Sequence, residues 1–173
     1  MKSKGYIHVY TGNGKGKTTA ALGLALRAVG AGKKVFFAQF VKGKIYSEIE
    51  AIKKFVPGIT IKQFGLGCFI VEKPTDADIQ AARKGLTEVA DILKSEKYDV
   101  VVLDEATIAL YYQLFSIDEF LDVLKNKNPK TEVVVTGRYA PQELIKLADL
   151  VTEMKEVKHY YTKGVEARKG IEF

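Results

Sequence analysis

Lys17 and Thr18 close the run TGNGKGKTT (Thr11–Thr19), in which glycines stand at positions 12, 14 and 16. Glycines at this density let backbone N–H groups approach an anion with no Cβ in the way, so the run has the makings of a phosphate cradle. Lys17 supplies a point charge for phosphate, and the Thr18 hydroxyl is a hard oxygen ligand suited to Mg²⁺ or Mn²⁺. Far along the chain, YDVVVLDEA carries four apolar residues, Val100 to Leu103, into Asp104 and Glu105. A carboxylate delivered at the end of a buried strand is what a metal beside phosphates requires. Thr18, Asp104 and Glu105 are therefore the candidate metal ligands, and Lys17, Thr18 and Glu105 the candidate catalytic residues. Adjacent acidic residues also orient water in nucleotide hydrolases, so the pair leaves open whether phosphates are hydrolysed, transferred or discarded.

The spacing departs from G-x-x-x-x-G-K-[ST]. Counting back from Gly16, the first position is Thr11, and Gly12 sits one residue too close. The loop is effectively shortened and carries an added lysine, Lys15. It is expected to hold phosphate in an unusual pose.

These side chains can converge only if strands and helices deliver them. β-rich runs are read at Ile7–Thr11, Val35–Val41, Ile59–Phe64, Val100–Asp104, Glu132–Thr136 and Leu150–Glu153. Helical patterns are read at Lys17–Gly30, Ser47–Phe55, Asp76–Ser95, Ile117–Lys125 and Pro141–Ala148, with Thr75 as an N-cap ahead of Asp76 and Asp78. VVVLD and EVVVTG are near-continuous apolar runs, as strands covered on both faces should be. This alternation predicts an α/β fold: a single three-layer P-loop NTPase (RecA-like) domain over residues 1–173, with a mainly parallel sheet of about six strands. The glycine loop, the end of VVVLDE and VTGR then gather at the carboxyl ends of the strands.

Composition narrows the class further. The chain has 173 residues, 47% hydrophobic and 28% charged, which suits one soluble domain. No apolar run is long enough to span a bilayer, and no signal-type stretch follows Met1. A lone cysteine, Cys68, makes no internal disulfide and suits a cytoplasmic protein. The net charge of +6 is spread among acidic residues and reads as a solvated surface, not a nucleic-acid footprint.

Several stretches together resemble one family, the P-loop type of ATP:corrinoid adenosyltransferase. They are VYTGNGKGKTTAALGLALRAVG, QFVKG, LDE, VVVTGRYAPQELIKLADLVTEM and VKHYYTKGVEARKGIEF, which run from the first strand to Phe173. The resemblance implies that the cobalt of a reduced cob(I) corrinoid, cob(I)alamin or a precursor, attacks C5′ of ATP and expels triphosphate. The nucleotide would lie reversed in the shortened cradle. By this resemblance Gly12, Asn13, Gly14, Lys15, Gly16, Lys17, Thr18 and Thr19 bind ATP, helped by Arg27 and Arg138. His159 and Phe69 are assigned to the corrinoid side, Phe69 lying in GLGCFIVEK where relatives typically show Phe and Trp. A homodimer is implied, with KGIEF near a site edge, and an acidic reductase flavoprotein would suit the basic surface as electron donor. Family members often carry an N-terminal extension over the site, whereas only Met1 to Gly5 precede the run that begins at Tyr6. The competing readings are a RecA-like P-loop ATPase, an ATP-sensing module and a small-molecule kinase; the last lacks an arginine-rich lid.

Overall fold

A computed structural model describes residues 4–44, 46–67 and 73–173. Strands β1 (Ile7–Thr11), β2 (Val35–Phe40), β3 (Ile59–Phe64), β4 (Val100–Asp104), β5 (Glu132–Thr136) and β6 (Leu150–Glu153) form one sheet in the order β3-β2-β4-β5-β1-β6. All pairings are parallel. Helices α1 (Lys17–Gly30), α2 (Ser47–Phe55), α3 (Asp76–Lys94), α4 (Ala106–Tyr111), α5 (Ile117–Lys125) and α6 (Gln142–Leu147) make the connections, and a 3₁₀ turn spans Tyr160–Lys163.

The central strands are apolar throughout because each face meets a different helix layer. Val101 and Leu103 of β4 join Leu86, Val89 and Phe120 in a core beneath α3 and α5, while Val100 and Val102 join Ala21, Ala25 and Ala28 of α1 on the opposite face. Alanines let α1 lie close to the sheet, which keeps its N-terminus tucked against the strand ends. Thr75 caps α3 as expected, in a capping box with Asp78, and Ser116 with Glu119 builds the same device at α5.

Small differences from expectation have local causes. Strand β2 stops at Phe40, not Val41, because Val41 turns to a left-handed φ of 65°. Helix α6 is one residue shorter at each end, since Pro141 and Ala148 have extended ψ values of 152° and 143°. Helix α3 ends at Lys94, with Ser95 in an extended conformation. Helix α4 was not expected: it follows β4 with only Glu105 between them, leaving no turn signal to separate the two.

Candidate active site

Strand β1 runs into the glycine loop, and α1 begins at Lys17 immediately after it. The helix thus turns its N-terminal amides and positive dipole end toward the loop. Lys17 is buried, and its Nζ donates to the carbonyls of Gly12 at 2.7 Å and Gly14 at 2.6 Å, which draws the ammonium into the middle of the loop. Burial pushes its pKa down, with the charge of Arg138 adding to the effect and Glu105 and Asp104 opposing it.

The glycines answer to the protein as well as to an anion. A Cβ on Gly12 would stand 2.5 Å from the Met154 carbonyl oxygen, and one on Gly14 2.6 Å from the same atom. Gly14 donates its amide to that carbonyl at 2.6 Å, and Met154 donates its own amide to Thr11 at 2.8 Å. The expectation that the Gly14 amide serves the anion is therefore corrected: it is held by the chain just beyond β6. Gly16, at φ 120°, takes a conformation reserved for glycine where the loop enters α1.

Asp104 is the hub on the other side. Fully buried, it accepts on Oδ1 from the hydroxyls of Thr18 at 2.8 Å and Thr136 at 2.7 Å. Its Oδ2 accepts from Gln39 Nε2 at 3.3 Å and pairs with Lys42 Nζ at 3.1 Å. These donors come from α1, β5, β2 and the loop after β2, so the carboxylate ties four segments together. Glu105 follows in a left-handed conformation, φ 57°, and its amide donates to Thr136 Oγ1 at 3.1 Å. Burial, and next the Asp104 charge, push the Glu105 carboxyl up; Lys42, Lys17 and Arg138 pull it back.

The set Thr18, Asp104 and Glu105 offers hard oxygens only. Among the described residues no group of three or more His, Cys, Asp or Glu gathers to cage a metal.

A third group reaches the loop from the end of the chain. Lys15 Nζ meets Glu172 Oε1 at 2.6 Å and donates to the Tyr160 hydroxyl at 2.9 Å. The Tyr160 hydroxyl also donates to Glu172, and the Arg168 amide donates to Glu172 Oε2 at 2.7 Å. Held by so many donors, the Glu172 carboxyl lies far below the usual carboxylate range, the Lys15 contact being the largest cause. Phe173 follows, with its carbonyl accepting from Ser47 Oγ at 3.1 Å at the start of α2.

Of the residues expected here, Gly12 to Thr19, Asp104, Glu105 and Arg138 come together at the carboxyl edge. Arg27 stands apart from this cluster: it is exposed, ten residues past Lys17 and about 15 Å farther along the axis of α1, although its charge reaches Tyr10 of β1. His159 accepts from the Tyr161 amide at 3.1 Å and caps the 3₁₀ turn, a local role. Phe69 lies outside the described residues. Thr136 and Met154 were not among the expected site residues. A threonine closing an apolar run in VVVTG was the available signal for Thr136, whereas nothing in sequence ties Met154 to the loop.

An all-parallel sheet whose first strand passes through a glycine loop into a helix, with a strand-borne carboxylate on the helix's threonine, defines a P-loop nucleotide-binding protein of the RecA-like type. The fold is shared with the flagellar accessory protein FlaH of Methanocaldococcus jannaschii, at 12% identity and a TM-score of 0.62 over 87% of this chain and 71% of that one. The family described as ATP:corrinoid adenosyltransferase BtuR/CobO/CobP matches residues 3–173, and the chain belongs to it. Similar relatives are named corrinoid adenosyltransferases. One from Sinorhizobium is 38% identical over 98% of this chain and 81% of its own length; one from Escherichia coli K12 is 36% identical over 98% and 86%. The Salmonella typhimurium relative is 36% identical, covering all of this chain and 88% of its own.

Proposed function

We propose that the protein transfers the 5′-deoxyadenosyl group of ATP to the cobalt of a reduced cob(I) corrinoid, releasing inorganic triphosphate, in the making or salvage of adenosylcobalamin. The carrying observation is family membership over the whole chain, joined to a phosphate loop shortened by one residue. The triphosphate lies in the loop, met by Lys15, Lys17 and the N-terminal amides of α1. As the C5′–O bond breaks, negative charge accumulates on the leaving triphosphate, and these positive groups stabilise it once Lys15 and Lys17 exchange their present partners, Glu172 and the Gly12 and Gly14 carbonyls, for phosphate oxygens. Arg138 and Lys42 add charge from the rim. The cobalt of the substrate is itself the nucleophile, so no side chain has to attack or remove a proton.

Thr18, Asp104 and Glu105 would hold Mg²⁺ or Mn²⁺, which when bound neutralises charge on the phosphates. Asp104 positions the Thr18 hydroxyl, and Glu105 presents its carboxylate beside it. The residues first read as nucleotide-binding, Gly12 to Thr19, Arg27 and Arg138, keep this role, Gly14 by shaping the loop and not by its amide, which Met154 holds. The reading places the enzyme in the cytoplasm as a homodimer, drawing electrons from an acidic flavoprotein reductase through its basic surface.

Phosphorus NMR of a reaction containing ATP, Mg²⁺ and chemically reduced corrinoid tests the proposal. Inorganic triphosphate should appear in step with adenosylcorrinoid. ADP and phosphate in matching amounts, with or without corrinoid, would make the protein a RecA-like ATPase instead.

A further inference from the structure

Four non-glycine residues among those described have left-handed φ, and three of them, Val41, Glu105 and Tyr139, follow strands at the carboxyl edge. Val41 leads into Lys42 and Glu105 presents a carboxylate, so both have a use in the site. Tyr139, at φ 58°, is not accounted for in this way. A bulky side chain in this conformation is disfavoured and persists where surrounding structure imposes it, often where a ligand is bound.

What Tyr139 gains is a partner. Its ring lies 4.6 Å from that of Tyr111, tilted by 30°, and Tyr112 packs edge-on against Tyr111 at 5.3 Å. Tyr111 and Tyr139 are nevertheless 58% and 55% exposed. Tyr111 is the last residue of α4, which starts at Ala106 directly after Glu105, so its backbone lies about 9 Å along the helix axis from that of Glu105. Tyr139 is two residues beyond Gly137, where a Cβ would lie 3.4 Å from Glu105 Oε2. Thr107 Oγ1 donates to the Arg138 carbonyl at 2.6 Å and fastens this loop to α4. The aromatic pair is thus fixed to the same frame that carries Glu105.

We infer that Tyr111 and Tyr139 form a shelf that receives the corrinoid acceptor. The inference rests on the adenosyltransferase reading and extends it to a binding surface. Two ligands of this reaction have flat rings, adenine and the corrin macrocycle, and the shape of the pair favours the second. The rings are closed against each other, so no slot remains between them to take a base. They present a broad exposed ridge with two phenol hydroxyls, which suits a wide macrocycle rimmed by methyl and carboxamide groups. Methyls pack on ring carbon, and the hydroxyls pair with the amides.

Tyr139→Gly provides the test, because glycine accepts φ 58° without strain and the fold is kept while the ring is lost. Equilibrium dialysis with hydroxocobalamin should show its Kd rising about tenfold in Tyr139→Gly and in Tyr111→Ala. The Kd for ATP and the thermal midpoint of Tyr139→Gly should stay at wild-type values. Unchanged hydroxocobalamin binding in both variants overturns the shelf, as does a weakening confined to ATP, which would assign the rings to adenine. Wild-type protein that neither binds hydroxocobalamin nor forms adenosylcorrinoid overturns the adenosyltransferase reading and the shelf with it.

Discussion

At the scale of single residues, the site sets buried charge against stability. Lys17 is buried on two carbonyls, and removing it takes away the positive charge in the middle of the loop. Lys17→Ala should all but abolish adenosylcorrinoid formation while the protein still melts cooperatively; normal turnover in a folded variant would refute the assignment. Glu105 offers a sharper test because burial raises its pKa. A carboxyl raised in the folded state adds stability only below its unfolded pKa, and that contribution is lost as pH rises through the folded value. At neutral pH its charge is therefore a burden on the fold. Glu105→Gln should match or exceed the wild-type melting temperature at pH 7, with the gain vanishing in acid below the ordinary carboxylate range. Its Mg²⁺-dependent activity should meanwhile fall roughly 10²-fold. A variant less stable than wild type at pH 7, or one with unchanged metal dependence, contradicts this account.

At the scale of elements, the loop's shape is decided by what packs on it. The carbonyl of Met154, just past β6, crowds both Gly12 and Gly14 and takes the Gly14 amide. Gly14→Ala would push a Cβ into that carbonyl and break the hydrogen bond, an overpacking that typically destabilises by about 1–3 kcal/mol. Thermal melting should register the loss, and a midpoint equal to wild type would show that the β6 contact does not restrain the loop. The segment around Glu172 forms a second restraint, clamped on Lys15. Because the Glu172 carboxyl titrates far below the usual range, the clamp stays charged through neutral and mildly acid pH and loosens only in strong acid. Glu172→Gln at pH 7 should therefore speed amide exchange in residues 165–173. Added salt should do the same for wild type, since exposed pairs are screened. Identical exchange in both proteins would remove the clamp from the description.

At the scale of the whole molecule, exposed apolar side chains concentrate late in the chain. Leu150, Val151, Val157, Tyr161, Val165, Ile171 and Phe173 are all exposed, although the sheet has buried nearly every apolar residue of its central strands. Strand β6 is also a sheet edge, with backbone groups available on one side. Both features fit the proposed homodimer. Sedimentation should return about twice the chain mass of 19.2 kDa, and a fully active monomer would refute the assembly.

Much of this architecture was legible in the chain itself. All six strands were read from β-rich runs, five at their observed ends and β2 to within one residue, and the loop with VVVLDE named the phosphate and carboxylate sides, because those motifs are local. Helix α4 was not legible, since six residues after a strand give periodicity nothing to work on. That Gln39, Lys42 and Thr136 meet on Asp104 was hidden for a different reason. Gln39, Lys42 and Thr136 lie 65, 62 and 32 residues away in sequence, and only the strand order β2-β4-β5 makes them neighbours. The sequence by itself determined which groups were available for phosphate and metal. Which of them meet, and whether a glycine serves a ligand or the protein's own backbone, was decided by the parallel sheet, because hydrogen bonds act over about 3 Å and only packing sets that distance.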